Sequence, residues 1–381
     1  MADSISRRTA LGRLAGATAC AALSGTGARA ASGSRRLLYV AAPGIRDYLD
    51  YGGHGLLVFD VDDGHEFVRR IPLRGLSPEG KPLNVKGVCA SAATGRIYVS
   101  TTKQLQCLDL RTDEFLWERA YEVGCDRMSI TPDGKEIYLP SFEGDIWQVI
   151  DAADGAVLAV IEPRSGAHNT VVGLDGREAY LAGLRSPHLT VVDTARREAT
   201  RTVGPFSAAI RPFTVNGRQT RIYANINELL GFEVGDLKSG KVLHRVEVPG
   251  HAKGPIKRHG CPSHGVALTP DEAEVWVCDA HNQKLHVFDA RGEPPVYRAS
   301  IALKDEPGWI TFSRDGDYAY PSTGQVIDPR TRAIVAELVD ETGAAVQSEK
   351  MVEVTFVDGG PRRVGDQFGL GRIGAPDGIA P

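Results

Sequence analysis

One kind of segment recurs seven times along this chain, and no other feature restricts its fold so tightly. Short, aromatic-centred, strand-like pieces read LLYVA, RIYVS, EIYLP, EAYLA, RIYAN, EVWVC and DYAYP. Their centres are Tyr39, Tyr98, Tyr138, Tyr180, Tyr223, Trp276 and Tyr320, separated by 59, 40, 42, 43, 53 and 44 residues. Each is followed by a second segment, such as CLDLRTDEFLWERA or VIDAADGAVLAVI. There, alternating β-branched and polar residues flank an Asp/Gly turn, as hairpins require. Six of the aromatic pieces are also preceded by a short strand that often ends in a PDG-like turn. The first piece lacks this predecessor, and a matching strand, MVEVTFVDGG, stands at residues 351–360. Sustained helical periodicity is absent. The pattern predicts an all-β, seven-bladed β-propeller over residues 31–361, in which the C-terminal strand completes the N-terminal blade. Residues 362–381, rich in Gly and Pro, are expected to form a surface tail.

Residues 1–30 read as an export signal rather than as part of the fold. Paired arginines in SRRTAL precede a mildly apolar run over residues 14–23, and Ala28-Arg29-Ala30 offers an A-x-A-like cleavage site. The arginine pair resembles the twin-arginine signal of bacteria, although Ala10 and Gly12 depart from its usual pattern. An ordinary Sec signal is the alternative, and either predicts a periplasmic or secreted protein. The apolar run is too short to span a bilayer.

Without those residues, 40 basic and 47 acidic side chains remain, with no Arg-rich stripe, so nucleic acid is not an expected partner. Five cysteines are left, at 89, 107, 125, 261 and 278. An odd count leaves at least one free thiol or metal ligand, and Cys261 is free to pair with Cys278 or to stay reduced. So few cysteines leave stability to apolar burial.

The repeats resemble the YVTN/YncE-type propeller family, and more loosely lactonase-type and amine-dehydrogenase-type propellers. The resemblance covers nearly the whole chain after residue 30; it implies architecture and hardly specifies activity. LDLRTDEFLWE also looks like a quinoprotein repeat, but it is one copy among seven.

Function is sought on the face where inner strands begin, because the insertions at residues 44–54, 73–86, 250–263 and 340–350 all belong there. Counting back twelve residues from each aromatic centre gives Lys86, Asp126, His168, Arg211, His264 and Gly308, with Met351 and Lys350 at the seventh position. Ionisable groups dominate this ring. Such crowding is typical of sites, although water-filled propeller channels are also often lined with idle polar groups.

Three chemistries fit. In the first, Arg211 and Lys86 hold a substrate carboxylate while His168 or His264, with Asp126, moves protons. That is the requirement of a lyase or lactonase acting on a small carboxylate or saccharide, and lactonase-type and lyase propellers work at this face. In the second, His168, His264 and Asp126 bind a divalent metal, with Cys261 and His259 close by, although Arg211 between the histidine blades opposes a second cation. In the third, the face binds a ligand or protein without catalysis, as YncE-like propellers imply. Loop residues Glu228, Glu143, His281, Asn282 and His188 are further candidates, with Glu228 and His281 expected to contact substrate. Arg46, Asp47, Tyr48 and Tyr51 are expected to form a lid or an aromatic wall for a sugar, and Trp309 to pack between blades.

Overall fold

The computed structural model describes residues 33–256 and 258–375, so the export signal expected over residues 1–30 lies outside the described residues. Seven antiparallel sheets follow one another along the chain. Six have four strands, beginning with the inner strands Val85–Ser91, Ser129–Ile130, Ala167–Val172, Ile210–Val215, Val266–Leu268 and Ile310–Phe312. They are blades 2 to 7. Blade 1 is composite: Ser34–Ala42, Gly55–Asp60 and Glu66–Ile71 from the beginning join Met351–Val357 from the end, in register from Ser34↔Val357 to Val40↔Met351. This is the closure expected from the sequence. It removes the open sheet edge that an unclosed ring would expose.

What makes the strands a ring is the burial of the aromatic centres. Tyr39, Tyr98, Tyr138, Tyr180, Tyr223, Trp276 and Tyr320 are all buried. Seven apolar clusters carry the interfaces: Tyr98, Cys107 and Leu139 join blades 2 and 3, and Leu38, Tyr320 and Met351 join blade 7 to blade 1. The tight turns between first and second strands hold neighbouring blades in register. At Gly134, φ is +71° and an added Cβ would stand 2.2 Å from Ser91 Oγ, so the TPDG turn of blade 3 can abut blade 2 only without a side chain. All five described cysteines are buried free thiols, Cys261 and Cys278 among them.

The C-terminal segment departs from expectation. Over residues 362–375 it is not a surface tail. Gly360–Val364 pairs with Met351–Val357 as a fifth strand on the channel side of blade 1, and the chain then crosses the end of the channel. Gln367 donates to Met128 O and accepts from Val88 N, while Gly369 O accepts from Thr214 Oγ1 and Leu268 N. Phe368, Leu370 and Arg372 are buried there. Gly369 makes the close approach possible: its φ is +59°, and a Cβ would lie 2.2 Å from that of Ala267. The segment plugs the channel at the face opposite the insertions.

Candidate functional site

Inner strands supply the site, and their irregularities aim it. The pairing of blades 2, 4 and 5 slips between Val85 and Gly87, Ala167 and Asn169, and Ile210 and Phe213. Lys86, His168 and Arg211 sit at those slips. A bulge re-aims the side chain it carries, and here all three line one cavity of about 210 Å³ at the channel mouth. In blades 3, 6 and 7 the regular strand starts only after the ring position, so strand alternation does not yet apply there. That is why both Asp126 and Arg127 point inward.

Two clusters meet in this mouth. In the first, His168 Nδ1 lies 2.8 Å from Asp126 Oδ2, and Lys86 Nζ stands 3.2 Å from Oδ1 as an ion pair without hydrogen-bond geometry. Asp126 is fully buried. Burial alone would raise its carboxyl, but His168 and Lys86 hold it below the ordinary carboxylate value. Burial pulls the His168 imidazole down, with Asp126 opposing in part. The carboxylate accepts from Nδ1–H, so the neutral ring turns its Nε2 lone pair outward.

The second cluster is built on Glu349. Its Oε1 accepts from His259 Nδ1 at 2.9 Å; its Oε2 accepts from Arg127 Nη2 and Lys350 Nζ, both at 2.8 Å. Burial would push this carboxyl up, yet Lys350 and the His259 hydrogen bond hold it well below the usual range. Burial also brings the Lys350 ammonium down to about 7, helped by Arg127 and Lys86 and opposed by Glu349. His264 donates from Nδ1 to Gly308 O at 2.7 Å, which again leaves Nε2 as an acceptor. Burial holds its imidazole well below the ordinary value. Arg127 links the two clusters, donating also to Lys86 O.

The lining is cationic. Arg46, Lys86, Arg127, Arg211, Arg258 and Lys350 face Glu143 and Glu349, with Asp126 behind them. Two guanidinium donors, Arg127 Nη1 and Arg211 Nε, are buried without a hydrogen-bond partner among the described residues. Each such orphan costs about 1–3 kcal/mol that an acceptor on a ligand would recover.

The fold is that of solved propellers. The structure of dihydro-heme d1 dehydrogenase NirN in complex with DHE is similar over 86% of this chain and 67% of that one, at a TM-score of 0.59 and 15% identity. At that identity the likeness concerns the fold alone. No protein-family description matches the chain, and no curated protein matches it. The YVTN/YncE resemblance therefore stands for the seven-bladed architecture and not for membership.

Of the residues expected from sequence, Lys86, His168, Arg211 and His264 line the cavity and Asp126 supports it from behind. Glu228 and His281 do not line it. Glu228 is exposed and pairs with Lys253 at 2.7 Å, and His281 packs against Gly254 in the insertion loop. His259, from the insertion at residues 250–263, lines the cavity where they do not. Trp309 is not simply packed between blades: its indole lies under Arg127, against Phe368, and donates to Gln367 O. Glu349 and Arg127 were missed, although each adjoins a ring position.

The expected metal set is also rearranged. His168 and Asp126 form a pair of their own, and among the described residues the group within reach of one ion is His259, His264 and Glu349. This group fits a divalent cation poorly. Both Glu349 oxygens are engaged, and His259 meets Glu349 at Nδ1 and Glu306 O and Arg258 at Nε2. Among the described residues, His264 Nε2 is the one nitrogen of this group without a partner. Each fixed positive charge at ~4 Å opposes each unit of added charge by about 4 kcal/mol at an effective dielectric of 20. Arg127 and Lys350 already touch the carboxylate such an ion would need.

Proposed function

We propose that this propeller is an enzyme that acts on a small carboxylate-bearing molecule or saccharide by histidine acid–base chemistry, of lyase or lactone-hydrolase type. The observation that carries the reading is the pairing of buried, unpartnered guanidinium donors with an outward-turned Nε2 on His168 in one small cationic cavity. Arg211 offers a carboxylate two parallel donors, and Lys86 adds a point charge beside it. Cations on the carboxylate acidify the adjoining C–H, from which His168 Nε2 removes the proton while Asp126 stabilises the imidazolium. Lys350, with its ammonium near 7, is suited to return a proton to the leaving oxygen at neutral pH. A cavity of about 210 Å³ lies below the usual range for drug-sized ligands, so it takes a small anion or the charged end of a larger one. Periplasmic or secreted action, with export through the twin-arginine or Sec route, belongs to the same proposal.

The second reading is a binding propeller without catalysis, since the same donors would hold an anion whether or not it reacts. Uronates, aldonolactones and small hydroxydicarboxylates separate the two. Elimination is followed by the absorbance of the new conjugated double bond, and lactone opening by acid release. Turnover that falls at least a hundredfold in His168→Ala, with a raised KM in Arg211→Gln, supports the enzyme. Saturable binding weakened by Arg211→Gln, without turnover, supports the binder. Binding and turnover untouched by both variants would remove the site altogether.

A further inference from the structure

Blade 6 carries a second group of linked, chemistry-bearing side chains, outside the cationic cavity. Its third and fourth strands, Lys284–Asp289 and Val296–Ala302, pair with His286 opposite Ser300. The register slips between Val287 and Phe288, and the bulge lets Tyr297 and Ser300 share one face although they stand three residues apart. His286 Nε2 lies 2.9 Å from Asp279 Oδ2, and its Nδ1 lies 2.8 Å from Ser300 Oγ. That oxygen is in turn 2.7 Å from the Tyr297 hydroxyl. Asp279 and His286 are fully buried, whereas Ser300 and Tyr297 are half-buried. Asp279 also accepts from Asn282 N at 3.0 Å and from Asn282 Nδ2 at 2.7 Å. Burial would raise its carboxyl, but the hydrogen bonds from His286 and Asn282 hold it below the ordinary value. A carboxylate only accepts, so the neutral imidazole carries its proton on Nε2 and leaves Nδ1 as an acceptor. Ser300 therefore donates to Nδ1, and Tyr297 donates to Ser300.

We infer that Ser300 is the nucleophile of a second, esterase-type site that takes a short acyl group from a small ester, with His286 as general base and Asp279 as its positioning carboxylate. The donor chain runs one way, from Tyr297 through Ser300 and His286 to a carboxylate, and it ends on a half-buried hydroxyl; that order is what activates a serine. Nδ1 rather than Nε2 faces the serine, and either nitrogen serves, because the base is the one that holds no proton. As Oγ attacks the ester carbonyl carbon, its proton passes to His286 Nδ1. The bond to the alcohol oxygen then breaks, and Nδ1 returns the proton to the leaving oxygen. Water repeats both transfers on the acyl-serine, releases the acid and restores Ser300. Lys284, two positions before His286 on the same strand face, donates to His251 Nε2 and has no acidic partner among the described residues. Its charge favours the oxygen that becomes negative during attack. None of these residues lines the cationic cavity, so the inference does not rest on the proposed function.

Methanesulfonyl fluoride, a small reagent that sulfonylates activated serines with loss of fluoride, tests this on the full chain, with the label located by peptide mass spectrometry. Label is expected on Ser300 and not on the exposed Ser239. Ser300→Ala should lose it, and His286→Gln should slow it by about a hundredfold or more. Asp279→Asn should slow it as well, and Asp279→Glu less. Hydrolysis of p-nitrophenyl acetate should fall in the same order. Absence of label on Ser300 in the wild type overturns the inference whether or not the variants fold. Equal labelling of Ser300 and Ser239 also overturns it, because the network would then be structural only. Ester hydrolysis kept in Ser300→Ala and lost in His168→Ala would assign that activity to the channel mouth, and would likewise overturn it.

Discussion

The guanidinium carbon of Arg127 lies 3.6 Å from the centre of the Trp309 ring while Nη2 donates to Glu349 Oε2 at 2.8 Å. Arg127 enters from blade 3 and Trp309 from blade 7, so the contact spans the channel and separates the cationic mouth from the plug. Arg127→Met would leave Glu349 buried with one fewer cation, at a cost of about 3–5 kcal/mol. Arg127→Lys should recover little, because an ammonium has no plane to stack. Denaturant unfolding measures both; a loss under about 1 kcal/mol in the methionine variant would contradict the arrangement.

Asp126→Asn tests the proton-transfer pair. Asparagine can present an amide N–H to His168 Nδ1 and favour the wrong tautomer, so turnover should fall by about 10²–10⁴ with KM little changed. Because burial lowers the His168 pKa, the base form persists below pH 6.5, and the acid limb of kcat/KM should lie under that value in the wild type. An acid limb above pH 7 would exclude His168 as the base.

Glu353 gives stability a pH dependence of its own. Burial, reinforced by Asp315, raises its carboxyl to about 7 from 4.5. A raised folded value means that the contribution is complete below the unfolded value and is lost as pH climbs from about 4.5 through 7. Glu353→Gln stays neutral throughout. The wild type should therefore lose about 3 kcal/mol relative to this variant between pH 4.5 and 8. Parallel stability curves for the two proteins would show that the carboxyl titrates normally.

Phe368→Ala probes the plug. A buried aromatic removed from a site that cannot collapse costs about 3–5 kcal/mol. Thermal unfolding should shift down accordingly, and Trp309 fluorescence should show a wetter indole. An unchanged melting temperature would mean that residues 366–372 contribute little to closing the channel.

The engaged donors of His259 and Glu349 predict indifference to metal. Added Zn²⁺ or Ca²⁺ should leave the melting temperature of the wild type within about a degree, since only binding to the native state stabilises it. Stoichiometric metal retained through dialysis, and lost in His264→Ala, would reverse this conclusion.

The architecture was legible in the sequence because a propeller repeats its physics. Each blade needs the same buried aromatic, the same turn and the same alternation, so Tyr39 through Tyr320 announce the blade count without any tertiary knowledge. The ring register carried the same information as far as Lys86, His168, Arg211 and His264. It did not reach the neighbours of the ring positions. Arg127 and Glu349 adjoin ring positions, and strand alternation would send them away from the channel; they face it because the backbone there is not yet strand. His259 arrives on a long insertion whose path no periodicity describes, and it lines the mouth whereas the loop residues Glu228 and His281 do not. The C-terminal segment is the clearest case. Its glycines and prolines suggest a tail by composition, yet Gly369 is what allows it to lie against Ala267 and bring Phe368 beneath Trp309. Local pattern sets which residues are strands and which face is apolar. Which charges share a cavity, and what fills a channel, depends on non-local packing that only the folded ring supplies.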